Sequence, residues 1–275
     1  PHEPLRRQRQ MCIRDSIYNV GIGHNAGGAI TTALYNTLGG GLSGDALTVG
    51  ASNVAWGTST LTNDTQGSKS TAIGTSALST QNFSSATDTH NTGVGFQAGA
   101  FITTGTNNTL IGGLAGDALT DADNNVALGH LSLTTDTKGS RNTALGYATL
   151  QTQNFTSATN SNNTAVGYAA GSAVTTGVEN TLIGARAGIA LTDADYNTVI
   201  GKQALETDTQ GSRSTAVGYS ALASQNFSSG TNSGNSAFGY NSGGSFTTGI
   251  QNTTVGSLSG DALTDADRNT VLGYQ

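Results

Sequence analysis

The sequence predicts an all-β chain, a parallel β-solenoid (β-roll or β-helix) of about fifteen coils of 17 or 21 residues, grouped in 72-residue super-repeats. Three observations carry that prediction. Variants of the pentapeptide Asn163-Thr164-Ala165-Val166-Gly167 begin at positions 19, 36, 53, 70, 91, 108, 125, 142, 163, 180, 197, 214, 235, 252 and 269. The gaps run 17, 17, 17, 21 and then start over, so each motif has a counterpart 72 residues on. A supersecondary unit repeated head to tail is the signature of a solenoid or array. The third observation is composition: 39 of 275 residues are Gly, 10% are charged and 6% aromatic. Such a chain resembles disordered low complexity, but disorder has no reason to hold apolar positions in register.

Each coil is numbered from its Asn. Position 2 is Thr, Ser or Val, position 4 is large and apolar in nearly every coil (Ile22, Trp56, Ile73, Val94, Ile111, Leu128 through Leu272), and position 5 is always Gly. Positions 2 and 4 share one face of a strand, 3 and 5 the other. A coil of 17 residues is too short for two helices and suits two or three short strands. The Asn column, with Ser at 70 and 214, predicts stacked amides that hydrogen-bond along the fibre and satisfy backbone groups at a corner. Gly at position 5 predicts close backbone approach or a kink. Position 9 runs Gly-Gly-Leu-Leu through most of the chain, two coil types at one corner.

The second halves of the four coils differ. The first carries Thr-Thr-Gly after an apolar residue (174–177), and the second Ala-Leu-Thr-Asp-Ala-Asp (118–123). The third carries Thr-Asp-Thr-Gln-Gly-Ser-Arg (207–213), and the 21-residue fourth Gln-Asn-Phe-Ser/Thr-Ser around Phe83, Phe155 and Phe227. The four extra residues predict a loop protruding every fourth coil. The first unit departs from the pattern at 38–41 and 48–52 and reads as degenerate. At ~4.8 Å per coil the chain makes a rod ~70 Å long, advancing ~19 Å per super-repeat.

Position 3 carries the argument for assembly. It is apolar or Gly in every coil but one (Ala55, Ala72, Leu110, Ala144, Leu182, Ala216), with Thr254 the exception. A strand apolar on both faces is buried on both. With positions 2 and 4 assigned to the coil's own core, the small residues of position 3 are expected against a neighbouring chain near a symmetry axis. The alternative is a wider single-chain coil that buries position 3 internally.

Residues 1–16 share nothing with the repeat. The run RRQRQMCIRDS (6–16) resembles the translation of a transposase-type sequencing-library adapter, so 1–16 is read as non-native and 17–275 as the solenoid domain, a fragment open at its C-terminal end. Without that segment no Pro, Cys or Met remains. Basic residues fall from 11 to 7 and acidic from 17 to 15, taking the net charge from −6 to −8. No disulfide can form, an acidic surface disfavours nucleic acid, and no run approaches the ~18 apolar residues of a membrane helix.

The pentapeptides Asn-Thr-Ala-Val-Gly and Ser-Thr-Ala-Ile-Gly resemble the β-roll head repeats of trimeric autotransporter adhesins. They are also similar to NTAxGYxAG-type arrays in bacteriophage tail fibres and bacterial surface fibres. The resemblance covers 19–275; the 17/17/17/21 spacing departs from the shorter adhesin repeat. It implies an extracellular, trimeric, structural or adhesive protein on a cell surface or virion.

No catalytic, cofactor or metal residue is assigned. The aspartates (Asp117, Asp121, Asp123; Asp193, Asp195; Asp261, Asp265, Asp267) recur with the repeat, whereas a catalytic carboxylate pair is a single local break in a scaffold. His24, His90 and His130 sit singly, outside any triad or metal-protease spacing. Calcium at the Asp-rich turn is weighed against a solvated acidic corner, with an Asp123–Arg141 ion pair between coils geometrically natural. An ice-binding face ranks low, because the position 2 threonines are expected to point inward and a flat Thr-x-Thr array is missing. The position 6 tyrosines (Tyr147, Tyr168, Tyr219, Tyr240, Tyr274) fit stacking on sugars or packing between coils or chains. The resulting reading is a non-enzymatic segment of an extracellular fibre or adhesin, self-associating as a homotrimer, with cell-surface glycans or receptors as further partners. The alternatives are a bacteriophage receptor-binding fibre and, third, a carbohydrate-active solenoid enzyme.

Overall fold

The structure, a computed structural model, describes residues 18–275; the adapter-like segment lies outside them. It is all-β. Fifteen three-residue strands, from Val20–Ile22 and Thr37–Gly39 to Thr253–Val255 and Thr270–Leu272, form one parallel sheet in order along the chain. Each strand is positions 2 to 4 of a coil. Register never slips: Thr71 pairs Thr92, then Thr109, Val126 and Thr143, so residues 72 apart lie four coils apart on one column.

The rest of the coil differs from the expected two or three strands. Only two-residue strands form there, and only between third and fourth coils: Gly67–Ser68 with Thr87–Asp88, Gly139–Ser140 with Thr159–Asn160, and Gly211–Ser212 with Thr231–Asn232. Elsewhere turns interrupt extension. Positions 7 and 9 adopt left-handed backbone in Leu-type and Gly-type coils alike, as at Ser76 and Leu78 (φ 57° and 50°) and at Gly116 (φ 54°). These turns still donate to the neighbouring coil, for example Leu78 N–H to Ala98 O at 3.0 Å.

The Asn column behaves as expected. Asn180 N–H donates to Asn163 Oδ1 at 2.9 Å, and Asn163 Nδ2 donates to Gly177 O at 2.7 Å, closing the corner of its own coil. Ser70 and Ser214 take half of that role: their N–H groups donate to Asn53 and Asn197, while their Oγ atoms pair with Thr89 and Ser233 rather than with the N–H of the next Asn. Gly at position 5 is required by both conformation and space. Gly146 has φ +132°, and a Cβ there would sit 2.4 Å from Gly167 O of the next coil.

Position 3 fills the coil's own core. Ala55, Ala72, Ala127, Ala144, Ala165 and Ala216 are fully buried, which reverses the expected facing of the strand. The reason is thickness. The opposite wall of a Leu-type coil already projects Leu at position 9, such as Leu78 and Leu150, both fully buried, leaving room for little more than a methyl. In the second coil of each unit the sizes swap. Leu110 and Leu182 occupy position 3, and position 9 is Gly116 or Gly188, where a Cβ would come within 2.8–2.9 Å of those leucines. Position 12 completes the compensation: Ile102, Leu119, Val174 and Leu191 fill the core of Gly-type coils, and Asp or Gln replaces them in Leu-type coils. The two flavours seen at position 9 are thus two ways of filling one volume.

Candidate functional surfaces

With position 3 inside, positions 2 and 4 form the outer face of the sheet. Position 4 exposes Trp56 (52%), Leu128 (46%) and Phe238 (41%), with Val94, Ile111, Leu145 and Val166 half-buried beside them. Gly39 is the one small residue of the column, and the Trp56 ring lies over it. Position 2 alternates half-buried Thr with exposed Val54 and Val126. The position 2 threonines donate to no protein group, whereas threonines elsewhere in the coil do: Thr48 Oγ1 donates to Thr65 O and Thr120 Oγ1 to Thr137 O. Neither column holds a charged residue. Isolated exposed apolar residues need no explanation, but a contiguous strip marks an interaction surface. The objection that these threonines face the core therefore falls, together with the assignment of position 4 to it.

Beside this face runs the position 6 column. Tyr147 and Tyr168 stack with centroids 5.4 Å apart and planes within 8°; Tyr219 and Tyr240 repeat the pair at 5.5 Å and 9°. His130 extends the first stack, and the Lys202 ammonium lies over Tyr219. Rings stacked along the axis cover one another's faces and turn their edges outward. That geometry favours packing between coils over a platform for sugar rings, which needs open faces. A third tyrosine pair, Tyr18 and Tyr35, stacks at position 0, and Tyr196 at the same position packs under the Arg213 guanidinium.

The aspartates go to separate partners. Asp117 accepts from Thr134 Oγ1, Asp121 faces Lys138 at 3.8 Å, and Asp123 accepts from Thr106 N–H at 2.7 Å. Asp195 and Asp267 repeat the Asp123 bond with Val178 and Ile250. Among the described residues no three His, Cys, Asp or Glu side chains gather as metal ligands. The Asp123 carboxylate and Arg141 do not pair; their link is backbone, Arg141 N–H to Asp123 O at 3.0 Å. Among the described residues the ion pairs are Lys69–Asp88, Lys138–Asp121 and Arg186–Glu206, all at the surface, where solvent screening leaves such pairs weak.

A buried polar network escaped the sequence reading. In each junction of third and fourth coils an Asp at position 12 accepts from backbone and from a Gln at position 12 of the next coil. Asp136 accepts from Gly139 N–H (3.0 Å), Phe155 N–H (3.2 Å) and Gln153 Nε2 (2.5 Å), and Gln153 Oε1 accepts from Asn163 Nδ2 (2.8 Å). Asp64–Gln81–Asn91 and Asp208–Gln225–Asn235 repeat it. No buried side-chain polar atom among the described residues lacks a partner. The available signal was Asp and Gln falling where other coils place Ile or Leu. This network also anchors the 21-residue coil, whose inserted loop leaves Phe83, Phe155 and Phe227 buried.

Burial raises the Asp64 and Asp117 carboxyls above the ordinary 3.8, against hydrogen bonds from Gln81 and Thr134 that lower them. A folded-state value above the unfolded one means the native chain binds more protons in between. The contribution of these groups is therefore present at and below 3.8 and lost as pH rises through the raised values. Asp88, bonded to Lys69, is shifted the other way, so its contribution is lost as pH falls through its lowered value. Asp117→Asn keeps an acceptor for Thr134 and removes the titration. Thermal melts are expected to show a smaller gain on acidification toward 3.8 for this variant than for the parent chain; an unchanged difference would count against burial as the cause.

In comparisons with protein-family models, curated proteins and solved structures, nothing matches this chain. Among the described residues no helix is long and apolar enough to cross a membrane.

Proposed function

We propose that the chain is a non-enzymatic structural segment of an extracellular fibre or adhesin, a rigid shaft or head that associates side by side with copies of itself as a homotrimer. The observation that carries this is the uncharged face of positions 2 and 4, a column of mostly large apolar residues beside a column of mostly Thr, in register over fifteen strands. The position 3 argument for a neighbouring chain is replaced by this one: the column that needs covering is position 4. A strip ~67 Å long and ~10 Å wide offers ~700 Å² per copy, so a trimer that turns this strip to its axis buries ~2,100 Å² in all, shared among three contacts that form together. The satisfied Asn and Asp–Gln ladders support the shaft role, because they tie each coil to the next through the interior and give rigidity without disulfides.

Solution mass tests the assembly. The parent chain is expected at three times 27.6 kDa. The double variant Leu128→Asp/Ile200→Asp, which puts two carboxylates on the outer face, is expected at 27.6 kDa with its β-rich circular dichroism intact. A monomeric parent chain, or a folded variant of unchanged mass, would overturn self-association through this face.

A further inference from the structure

The loop of the 21-residue coil carries chemistry that the fibre role does not use. Its three copies read Asn82-Phe83-Ser84, Asn154-Phe155-Thr156 and Asn226-Phe227-Ser228, each an Asn-x-Ser/Thr acceptor sequence for N-linked sugar. In a chain so rich in Asn, Ser and Thr the motif alone has little weight: it occurs seven times, also at Asn63, Asn107, Asn162 and Asn252. The structure separates the seven.

In the three loops the middle Phe turns inward and is buried, while the Asn and the hydroxyl residue two positions on are both exposed. Each Asn side chain is held by its amide oxygen alone. Thr65, Thr137 and Thr209 Oγ1 donate to Oδ1 of Asn82, Asn154 and Asn226 at 3.1, 3.1 and 3.3 Å. Among the described residues each Nδ2, the atom that accepts a sugar, finds no protein partner, and neither do the hydroxyls of Ser84, Thr156 and Ser228. The other four sites are tied up. Asn252 is buried in the ladder, its Nδ2 donating to Ala266 O and Asn235 Oδ1. Asn107 and Asn162 donate Nδ2 to Thr106 Oγ1 and Asn160 O, and their hydroxyl residues lie in strands of the main sheet. Asn63 is exposed, but its hydroxyl partner Thr65 is spent on Asn82 and Phe83 of the next coil.

We infer that Asn82, Asn154 and Asn226 are N-glycosylation sites, placing one sugar on every fourth coil, ~19 Å apart along one edge of the fibre. The donor class is a sugar carried on a diphosphate. Nδ2 attacks the anomeric carbon, the new C–N bond forms as the C–O bond to the diphosphate breaks, the diphosphate leaves with its carrier, and one amide proton passes to a base of the transferase. The sites lie at positions 13 to 15 of the coil, away in sequence from the association face at positions 2 and 4, so sugar and assembly use different parts of the same repeat. The inference rests on the extracellular reading, since such sugars decorate secreted surfaces.

The test uses the purified, folded full chain in two arms. One supplies a soluble sequon-specific transferase with a nucleotide-diphosphate hexose; the other supplies a membrane oligosaccharyltransferase with a polyprenyl-diphosphate sugar. Peptide mass mapping is expected to find sugar at Asn82, Asn154 and Asn226 in at least one arm, which also identifies the carrier, and none at Asn107, Asn162 or Asn252. The triple variant Ser84→Ala/Thr156→Ala/Ser228→Ala removes only hydroxyls without partners and is expected to fold as the parent does while losing all three modifications. Absence of sugar in both arms, or equal occupancy at Asn107 and the loops, would overturn the inference. Mass in solution is read on the same samples. Modified but monomeric chain would sink the assembly reading alone, and unmodified trimer the glycan inference alone.

Discussion

Ala144→Asp is expected to unfold the coils around it, whereas Leu145→Asp, one residue on, is expected to leave them folded. The two side chains leave the same strand in opposite directions: Ala144 is fully buried, and Leu145 is half-buried on the outer face. Aspartate at 144 would place a carboxylate in an interior lined by methyl groups and leucines such as Leu133 and Leu150. No cation lies within the core to receive it, and an unpaired buried charge costs several kcal/mol, above about 4 in the severe cases. At 145 the carboxylate stays in water and the loss is a fraction of that. Hydrogen exchange reads the difference locally, which matters in a solenoid where coils open as neighbours rather than as one unit. Protection of the Ala127–Ala165 strands should fall by more than ~10³-fold in the first variant, about 4 kcal/mol at 1.4 kcal/mol per decade, and by less than ~10-fold in the second. The reverse pattern would restore the facing first read from the sequence.

That reversal shows where the sequence was legible and where it was not. Periodicity is a one-dimensional signal, so fifteen Asn-to-Gly motifs specified coil number, parallel stacking and register, all of which the structure bears out. Alternation along a strand says that positions 2 and 4 differ from 3 and 5; it does not say which set is inside. The usual rule sends the larger apolar residue inward, and it fails here because the coil is thin. The information was present in Leu110 with Gly116 and Ala144 with Leu150, two positions six apart whose sizes compensate; in the first coil of each unit both are small, as at Ala165 and Gly171, and leucines of the neighbouring coils, Leu150 and Leu182, fill the space. Such compensation implies contact across the core, and position 4 shows none. The Asp136–Gln153–Asn163 network was hidden for a different reason. Polar residues at a corner look solvated until the neighbouring coil is placed over them.

The Asn ladder offers the second large effect. Asn163 sits where the ladder and the buried network meet: Nδ2 donates to Gly177 O and Gln153 Oε1, and Oδ1 accepts from Asn180 N–H. Leucine has a similar size, so Asn163→Leu removes chemistry more than volume. Three buried groups then lose a partner, at ~1–3 kcal/mol each, and the orphaned Gln153 amide no longer has its orientation fixed against Asp136. The expected cost is ~3–9 kcal/mol, confined to the coils on either side. Asn197→Leu is the control. It breaks the ladder bond to Ser214 N–H and the Gly211 O contact; its third bond, Nδ2 to Asn180 Oδ1 at 3.2 Å, goes to an oxygen that still accepts from Asn197 N–H, and no Gln accepts from its amide. A smaller loss is expected there, by about the ~1–3 kcal/mol of the missing third group. Amide exchange at Asn180 and Ser214, and denaturant midpoints of both variants, measure the comparison. Equal losses would mean that the ladder alone holds the corner and that the Asp–Gln pair adds nothing to it.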